Sequence, residues 1–232
     1  MERRVEFKFG KEALRGSLFI PKGSGPFASV IFFHGSSGNG EMHFELAKKV
    51  SEKGVLGFAF NYRGCGKSDG KFEEQTLGMG IEDGRTAVKY FLSQKEVDKT
   101  RLGFSGGSFG GFLASLFSAE FNPKSLVLIA PAAYSSEAYA TQRDSDNDFK
   151  KGFEKSVTYK KLSEFKGNLL IVECEFDDVL PKGMVEKYLE VARPTSKKEY
   201  FLLKGVRHRI SINPKARAVL ENKVTNWFLG TL

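Results

Sequence analysis

The chain has 232 residues, of which 41% are hydrophobic, and 36 Lys and Arg against 28 Asp and Glu give a formal net charge of +8 at pH 7. This length can bury a sizeable core within one domain, so no second domain is needed. The basic residues are scattered among the acidic ones, which favours a solvated basic surface and argues against a nucleic-acid partner.

The sequence contains no pattern typical of a membrane span or of a metal site. No apolar run approaches the roughly 18 residues of a membrane span, and the start Met1-Glu2-Arg3-Arg4 lacks the apolar stretch of a secretory signal. We therefore expect a cytoplasmic protein. The two cysteines, Cys65 and Cys174, lie in unrelated motifs without metal-type spacing, so we expect buried free thiols and no metal. The oligomeric state is left open between monomer and dimer.

Strand and helix patterns alternate along the chain. Residues 3–9 and 14–20 are predicted to form an antiparallel hairpin at the edge of a sheet. Continuous apolar runs predict parallel strands buried on both faces, at residues 30–33, 56–60, 126–130, 169–172 and 200–203. Helices are predicted between them, at residues 41–53, 80–92, 109–121, 182–192 and 214–229. This order predicts an α/β fold with a mostly parallel, doubly wound sheet.

A Gly-x-Ser-x-Gly pentapeptide, Gly106-Gly107-Ser108-Phe109-Gly110, stands between a strand-like run and a helical run. Its glycines would let the backbone turn sharply and would hold the Ser108 hydroxyl exposed at the sheet edge. The N-terminus of the following helix favours negative charge that develops there. A second frame of the same motif centres on Ser105, which remains the alternative nucleophile although it falls inside the predicted strand.

A base and an acid follow in the chain order Ser, Asp, His. A serine hydroxyl needs a base within hydrogen-bond reach and a third group to orient that base. Among the three histidines, His208 has the right context, because it follows the strand at residues 200–203. Asp177 follows the strand at residues 169–172 and is expected to orient His208, with its neighbour Asp178 as the alternative.

The loop after residue 33 supplies the remaining part of an acyl-transfer site. This loop reads His34-Gly35-Ser36, and its backbone N–H groups could face an oxyanion. We expect the oxyanion hole to consist of the amides of Ser36 and Phe109, the latter being the residue after the proposed nucleophile. His34 is expected to act as a structural hydrogen-bonding residue. His43, at the start of a predicted helix, is expected at the surface.

These motifs together resemble the α/β-hydrolase superfamily along nearly the whole chain, as a single domain over residues 1–232. The residues that carry the likeness are His34-Gly35, residues 62–70, the Ser108 turn, residues 175–181 and residues 205–208. Within the superfamily, residues 67–76 followed by Ile81-Glu82-Asp83 are similar to small cinnamoyl/feruloyl esterases and dienelactone-hydrolase-like proteins. Asn61 stands where many relatives have Asp, a departure that leaves the substrate open.

Residues 133–166 interrupt the alternation at the place where this superfamily inserts a lid. The segment is polar and mixed in charge, yet it contains Tyr134, Tyr139 and Phe153. One interpretation is a short cap whose aromatic side chains line the substrate pocket. The other is a surface helix and loop that pack the same aromatic residues into the core, which is the commoner fate of such side chains.

The resemblance and the triad Ser108, Asp177 and His208 imply a cofactor-free serine carboxylesterase that forms an acyl-enzyme and prefers small-acyl or aryl esters. A peptidase or thioesterase on the same triad is one alternative, and a non-catalytic α/β-hydrolase-like binding protein is another. The complete triad argues against the binding protein, because a degenerate relative would usually have lost one member.

Overall fold

A computed structural model describes residues 1–36, 40–142, 152–192 and 196–232. The strands are β1 (Glu2–Phe9), β2 (Glu12–Phe19), β3 (Phe27–Phe33), β4 (Leu56–Asn61), β5 (Val97–Gly107), β6 (Ser125–Ile129), β7 (Asn168–Cys174) and β8 (Lys197–Leu203). They form one sheet in the order β1-β2-β4-β3-β5-β6-β7-β8. The β1–β2 and β2–β4 pairs are antiparallel, and the other neighbours are parallel.

Helices cover both faces of the sheet. They are α1 (Glu41–Ser51), α2 (Leu77–Leu92), α3 (Phe109–Phe121), α4 (Val157–Glu164), α5 (Met184–Val191) and α6 (Pro214–Thr231). The apolar side chains of α1 and α6 share one buried cluster with one face of the sheet. Those of α2, α3, α4 and α5 share a second cluster with the opposite face. Parallel strands buried in this way need apolar residues on both faces, which explains the continuous apolar runs in the sequence.

The predicted α/β-hydrolase fold is confirmed in its main elements. The hairpin of β1 and β2 lies at one edge of the sheet, and the predicted apolar runs lie within strands, except that Ala130 follows the end of β6. Helix α4 lies within residues 133–166, for which a surface helix and loop was one of the two interpretations. Helix α2 begins at Leu77, earlier than predicted, where the Thr76 hydroxyl caps it by accepting a hydrogen bond from the amide of Met79 at 3.1 Å.

The strand order reverses around β3, which pairs with β4 on one side and with β5 on the other. Loops that leave the carboxyl ends of neighbouring strands diverge at such a reversal and leave a crevice, where α/β proteins bind their ligands. The two loops concerned here are the one after β3, which begins at His34, and the turn after β5, which contains Ser108. The topology therefore brings these two sequence motifs to the same place.

The prediction that His43 lies at the surface is wrong. Its side chain is only 5% exposed, and it shares the inward face of α1 with Leu46, Ala47 and Val50. The spacing of these positions is that of a helix face. The ring packs against the end of β5: a Cβ built at Gly107 would lie 3.4 Å from His43 Nε2, an ordinary van der Waals distance.

Both cysteines, Cys65 and Cys174, are free and buried, as predicted. Burial raises the pKa of the Cys174 thiol to about 12, so this side chain stays a neutral apolar group. Within the described ranges, none of the helices has the length and apolar character that crossing a bilayer requires.

Candidate active site

The Ser108 turn is a tight junction between β5 and α3. Ser108 has φ 52° and ψ −116°, in a region that non-glycine residues rarely adopt. A Cβ at Gly106 would lie 2.0 Å from the carbonyl oxygen of Gly110, and a Cβ at Gly110 would lie 1.9 Å from that of Phe33. Only glycine fits at either position. The motif is thus required by the close approach of backbone to backbone.

The two candidate serines have different surroundings. Ser108 is half-buried at the turn, and its amide donates to the carbonyl oxygen of Ile129 at 2.9 Å. Ser105 lies inside β5 and is fully buried, and its hydroxyl has no hydrogen-bond partner among the described residues. A substrate can therefore approach Ser108, whereas Ser105 is closed off by the core.

The loop after β3 lies against the Ser108 turn. A Cβ built at Gly35 would lie 3.6 Å from Ser108 Cβ, so this loop forms one wall beside the serine. His34 is fully buried, its Nδ1 lies 2.8 Å from the carbonyl oxygen of Gly35, and its Nε2 lies 3.5 Å from the amide of Tyr62. A carbonyl only accepts and an amide only donates, so the proton of His34 resides on Nδ1.

Tyr62 completes this wall, a contact that the sequence did not indicate although Tyr62 belongs to the motif at residues 62–70. Its hydroxyl donates to the carbonyl oxygen of His34 at 3.0 Å, and its ring lies 5.6 Å from that of Phe109. The side chain thus connects the loop after β3 to the first residue of α3. The amides of Ser36 and Phe109 belong to these two braced segments, and their role as an oxyanion hole stays a prediction.

Asp177 and His208 form a hydrogen-bonded pair. Asp177 Oδ2 lies 2.7 Å from His208 Nδ1, and each side chain is 12% exposed. The other carboxylate oxygen accepts hydrogen bonds from the amides of Val179 at 2.9 Å and Leu180 at 2.8 Å. Burial by itself would raise the pKa of Asp177, but the hydrogen bond from His208 and these two amides outweigh it and hold this pKa below its ordinary value.

The neighbouring acids have other partners. Asp178, the alternative to Asp177, lies 3.4 Å from Arg207 Nη1 and 3.4 Å from the amide of His208, not at the imidazole ring. Glu173 accepts from the hydroxyl of Tyr200 at 2.6 Å, and Glu175 accepts from the amide of Gly205 at 2.6 Å. These acids hold the ends of β7 and β8 and their loops together.

The serine and the acid–base pair lie on loops at the same edge of the sheet. Ser108 follows β5, Asp177 follows β7 and His208 follows β8, and these strands are parallel. Within the part of the chain that the structure describes, no hydrogen bond joins Ser108 Oγ to His208. Such contacts are often long without substrate and tighten when it binds. The assignment of these three residues to catalysis remains a prediction.

Two of the three proposed pocket residues, Tyr134 and Tyr139, pack against α3. Tyr134 is 3% exposed and Phe153 is 8% exposed, while Tyr139 is half-buried. The ring centroid of Phe112 lies 4.9 Å from that of Tyr134 and 6.1 Å from that of Tyr139. The contacts of Tyr134 match the core-packing interpretation, and a substrate role for the three residues stays a prediction. Residues 143–151 of the proposed cap lie outside the described residues.

A cavity of about 710 Å³ lies between the start of α1 and the β1–β2 hairpin. Arg4, Arg15, Phe44 and Asn61 are among the residues that line it. The cavity is therefore separate from the Ser108 turn and from the Asp177–His208 pair, none of which contributes to its lining among the described residues.

Comparison with models of protein families finds a match described as "alpha/beta hydrolase fold" over residues 28–164, which is more than half of the chain. The matched range includes the loop after β3 and the Ser108 turn. It ends before Asp177 and His208.

Known proteins similar to this chain include esterases. An uncharacterised protein of Mycobacterium tuberculosis is 27% identical over 196 residues, which cover 83% of this chain and 67% of that protein. Esterase EstD of Thermotoga maritima is 31% identical over 131 residues, which cover 52% of this chain and 31% of EstD. Est1E from Butyrivibrio proteoclasticus, solved with ferulic acid bound, is 19% identical and has a TM-score of 0.76 over 98% of each chain. At this identity the likeness to Est1E shows the fold alone.

Proposed function

The chain belongs to the alpha/beta-hydrolase family, and we propose that it is a serine carboxylesterase in which Ser108 is the nucleophile, His208 the base and Asp177 the orienting acid. Family membership and the esterases among its relatives support hydrolase activity of the esterase kind. The serine mechanism and the substrate preference are the proposed part.

The observation that carries the proposal is the 2.7 Å hydrogen bond between His208 Nδ1 and Asp177 Oδ2. An ionised carboxylate can only accept, so Nδ1 carries the proton in the neutral ring and Nε2 keeps its lone pair. A ring in this tautomer can take a proton from a serine hydroxyl. Asp177 is already held by two amides, so it fixes both the tautomer and the orientation of His208.

The reaction follows from these roles. Ser108 Oγ attacks the ester carbonyl carbon while His208 Nε2 accepts the hydroxyl proton, and the amides of Ser36 and Phe109 stabilise the oxyanion. Collapse of the tetrahedral intermediate expels the alcohol, which takes the proton from His208 and leaves an acyl group on Ser108. A water molecule, deprotonated by His208, then attacks the acyl carbonyl carbon. Collapse of this second intermediate breaks the bond to Ser108 Oγ, which takes the proton back from His208 as the acid leaves. Charge on the imidazolium is stabilised by Asp177 throughout.

We propose small-acyl or aryl esters as the substrate class. EstD is named an esterase, and Est1E was solved with ferulic acid, an aromatic acid. Tyr139, which is half-buried and whose ring centroid lies 6.1 Å from that of Phe112 on α3, is compatible with an aryl group.

A fluorophosphonate probe with mass-spectrometric mapping tests the nucleophile, because it modifies only activated serines. We expect modification of Ser108 in the parent and in Ser105→Ala, and none in Ser108→Ala. Modification at Ser105, or none in the parent, would contradict the assignment. A panel of aryl, alkyl, thioester and dipeptide substrates then tests which class of bond the protein hydrolyses. A preference for thioesters or dipeptides would contradict the carboxylesterase proposal and favour a thioesterase or peptidase.

A further inference from the structure

The segment after β6 wraps around the Ser108 turn. Ala130 has φ 40°, a left-handed conformation that is rare for a residue with a side chain. Two residues later, the amide of Ala132 donates to the carbonyl oxygen of Ser108 at 3.0 Å. The backbone of Ser108 is therefore held on one side by a segment that is itself strained, and some other contact must keep that segment in place.

That contact comes from Tyr188 on α5. The Tyr188 hydroxyl donates to the carbonyl oxygen of Ala132 at 2.7 Å, and the side chain is fully buried. Ala132 thus receives a hydrogen bond from Tyr188 at its carbonyl and gives one to Ser108 from its amide. A buried hydrogen bond of this kind is expensive to lose, because water cannot replace the donor that is removed.

The chain of hydrogen bonds continues into residues 133–166. Thr158 Oγ1, on α4, lies 3.2 Å from the Tyr188 hydroxyl, and Ser156 Oγ lies 2.8 Å from Thr158 Oγ1. Because Tyr188 donates its proton to a carbonyl, it accepts from Thr158, which in turn accepts from Ser156. All these side chains are buried. Each hydroxyl therefore donates to the next in one direction, from Ser156 through Thr158 and Tyr188 to the carbonyl of Ala132. The amide of Ala132 then donates to the backbone of Ser108.

We propose that Tyr188 is a positioning residue for Ser108, which transmits the placement of α4 and α5 to the serine turn through Ala132. The proposal rests on the proposed function, since it assigns Ser108 the role of nucleophile. Tyr188 does not touch substrate in this scheme. Its hydroxyl fixes the carbonyl of Ala132, so the amide of that residue stays aligned with Ser108.

The chain offers a matched control in Tyr159, on α4. Its ring centroid lies 4.9 Å from that of Tyr188, and its side chain is 5% exposed. Unlike Tyr188, its hydroxyl has no hydrogen-bond partner within the described ranges. Tyr188→Phe and Tyr159→Phe thus remove the same atom from neighbouring buried rings, and only the first removal reaches Ala132.

A second control separates positioning from loss of stability. Ser125, at the start of β6 and at the opposite end of that strand from Ala132, bonds Trp227 Nε1 at 2.9 Å and Thr231 Oγ1 at 2.8 Å. Ser125→Ala removes buried hydrogen bonds far from Ser108. It should lower the melting temperature at least as much as Tyr188→Phe does.

The experiment measures kcat and KM for an aryl ester, with the active fraction of each variant counted by fluorophosphonate, and the hydrogen exchange of the Ala132 amide. For Tyr188→Phe we expect kcat per active site to fall roughly three- to tenfold, the effect of one buried hydrogen bond, with KM within about twofold. The Ala132 amide should exchange faster. Tyr159→Phe and Ser125→Ala should leave both the per-site kcat and this exchange rate near those of the parent.

Amide exchange keeps the test independent of the ester chemistry. If the parent hydrolyses none of the esters, the proposed function fails, and the exchange of the Ala132 amide still decides whether Tyr188 holds that segment. Unchanged exchange in Tyr188→Phe overturns the proposal. So does faster exchange with an unchanged per-site kcat, or an equal fall of kcat in Ser125→Ala.

Discussion

Two buried pairs of ionisable side chains in this protein have nearly the same hydrogen-bond distance but differ in which polar atoms remain without a partner. Arg63 Nε lies 2.6 Å from Asp83 Oδ1, and His208 Nδ1 lies 2.7 Å from Asp177 Oδ2. The side chains of the first pair are 5% and 0% exposed, against 12% for each member of the second. Distance alone would assign both pairs the same role.

In the Arg63–Asp83 pair, the polar atoms of both side chains already have hydrogen-bond partners. The other nitrogens of Arg63 contact Glu12, Glu82 and the carbonyl oxygen of Met79, and Asp83 Oδ2 accepts from the Arg63 amide at 2.8 Å. Burial by itself would lower the pKa of Arg63, but the charge of Asp83 and the other acids keep it raised, so the guanidinium stays charged. This cluster braces the loop after β4 and cannot exchange protons.

The Asp177–His208 pair leaves one imidazole nitrogen available for proton transfer. The carboxylate is fully occupied, but only Nδ1 of the imidazole has a hydrogen-bond partner among the described side chains. An imidazole with one nitrogen fixed and the other available can accept and return a proton. The comparison shows that a polar atom without a hydrogen-bond partner, and not the distance between the two side chains, distinguishes a reactive centre from a structural one.

The largest effect on turnover should follow from removing the His208 imidazole or the Asp177 carboxylate that orients it. We expect His208→Ala and Asp177→Asn each to lower kcat for an aryl ester by roughly 10³-fold or more, because triad members act as a unit. Asp178→Asn is the matched control and should stay within about threefold, since its carboxylate is exposed and bonds Arg207. A greater loss in Asp178→Asn than in Asp177→Asn would reverse the assignment.

Breaking the Arg63 cluster should affect stability instead of turnover. We expect Asp83→Asn to lower the free energy of unfolding in urea by about 3–5 kcal/mol, because it removes the fully buried counter-charge of Arg63 and leaves only the partly exposed Glu12 and Glu82. The turnover of the molecules that remain folded should be unchanged. Glu82→Gln changes a 49% exposed partner of the same arginine and should lower stability by less than about 1 kcal/mol. Equal losses in the two variants would show that the cluster is not held by Asp83.

His43 extends the comparison to a buried titratable group whose Nε2 lacks a partner in the described part of the chain. Burial lowers the pKa of His43 to about 4. Between pH 6.5 and 4 the unfolded chain then binds a proton on this residue that the folded chain does not, so stability falls as the pH falls. We expect the parent to lose about 2–3 kcal/mol more than His43→Leu between pH 7.5 and 4.5, as measured by urea unfolding. Parallel pH dependences would mean that the pKa of His43 is the same in the folded and unfolded chains.

The smallest effect should come from the exposed pair beside the site. Arg207 and Asp178 lie 3.4 Å apart with side chains 75% and 50% exposed, so solvent screens their interaction. Arg207→Gln should change kcat/KM for a neutral ester by less than about twofold at 0.15 M salt. A larger change with an anionic ester, absent with the neutral one, would instead assign Arg207 a part in substrate binding.

The sequence by itself determined the features that depend on local patterns. Apolar runs predicted the buried parallel strands, and the glycines around Ser108 predicted the turn, because close backbone approach leaves a signature in residue type. The order of Ser108, Asp177 and His208 along the chain also pointed to the fold. The apolar runs and the glycines each lie within a few residues of the feature they predict.

Only the tertiary structure decided which groups meet. His43 was predicted at the surface because it stands in a polar helix start, but the inward face of α1 buries its ring beside Gly107, which is far along the chain. The imidazole of His208 meets Asp177 and not Asp178, although the two acids are neighbours in the sequence. The connection from Thr158 through Tyr188 to the backbone of Ser108 had no sequence signal at all. Hydrogen bonds between distant segments depend on where the sheet places those segments, and residue patterns along the chain do not contain that information.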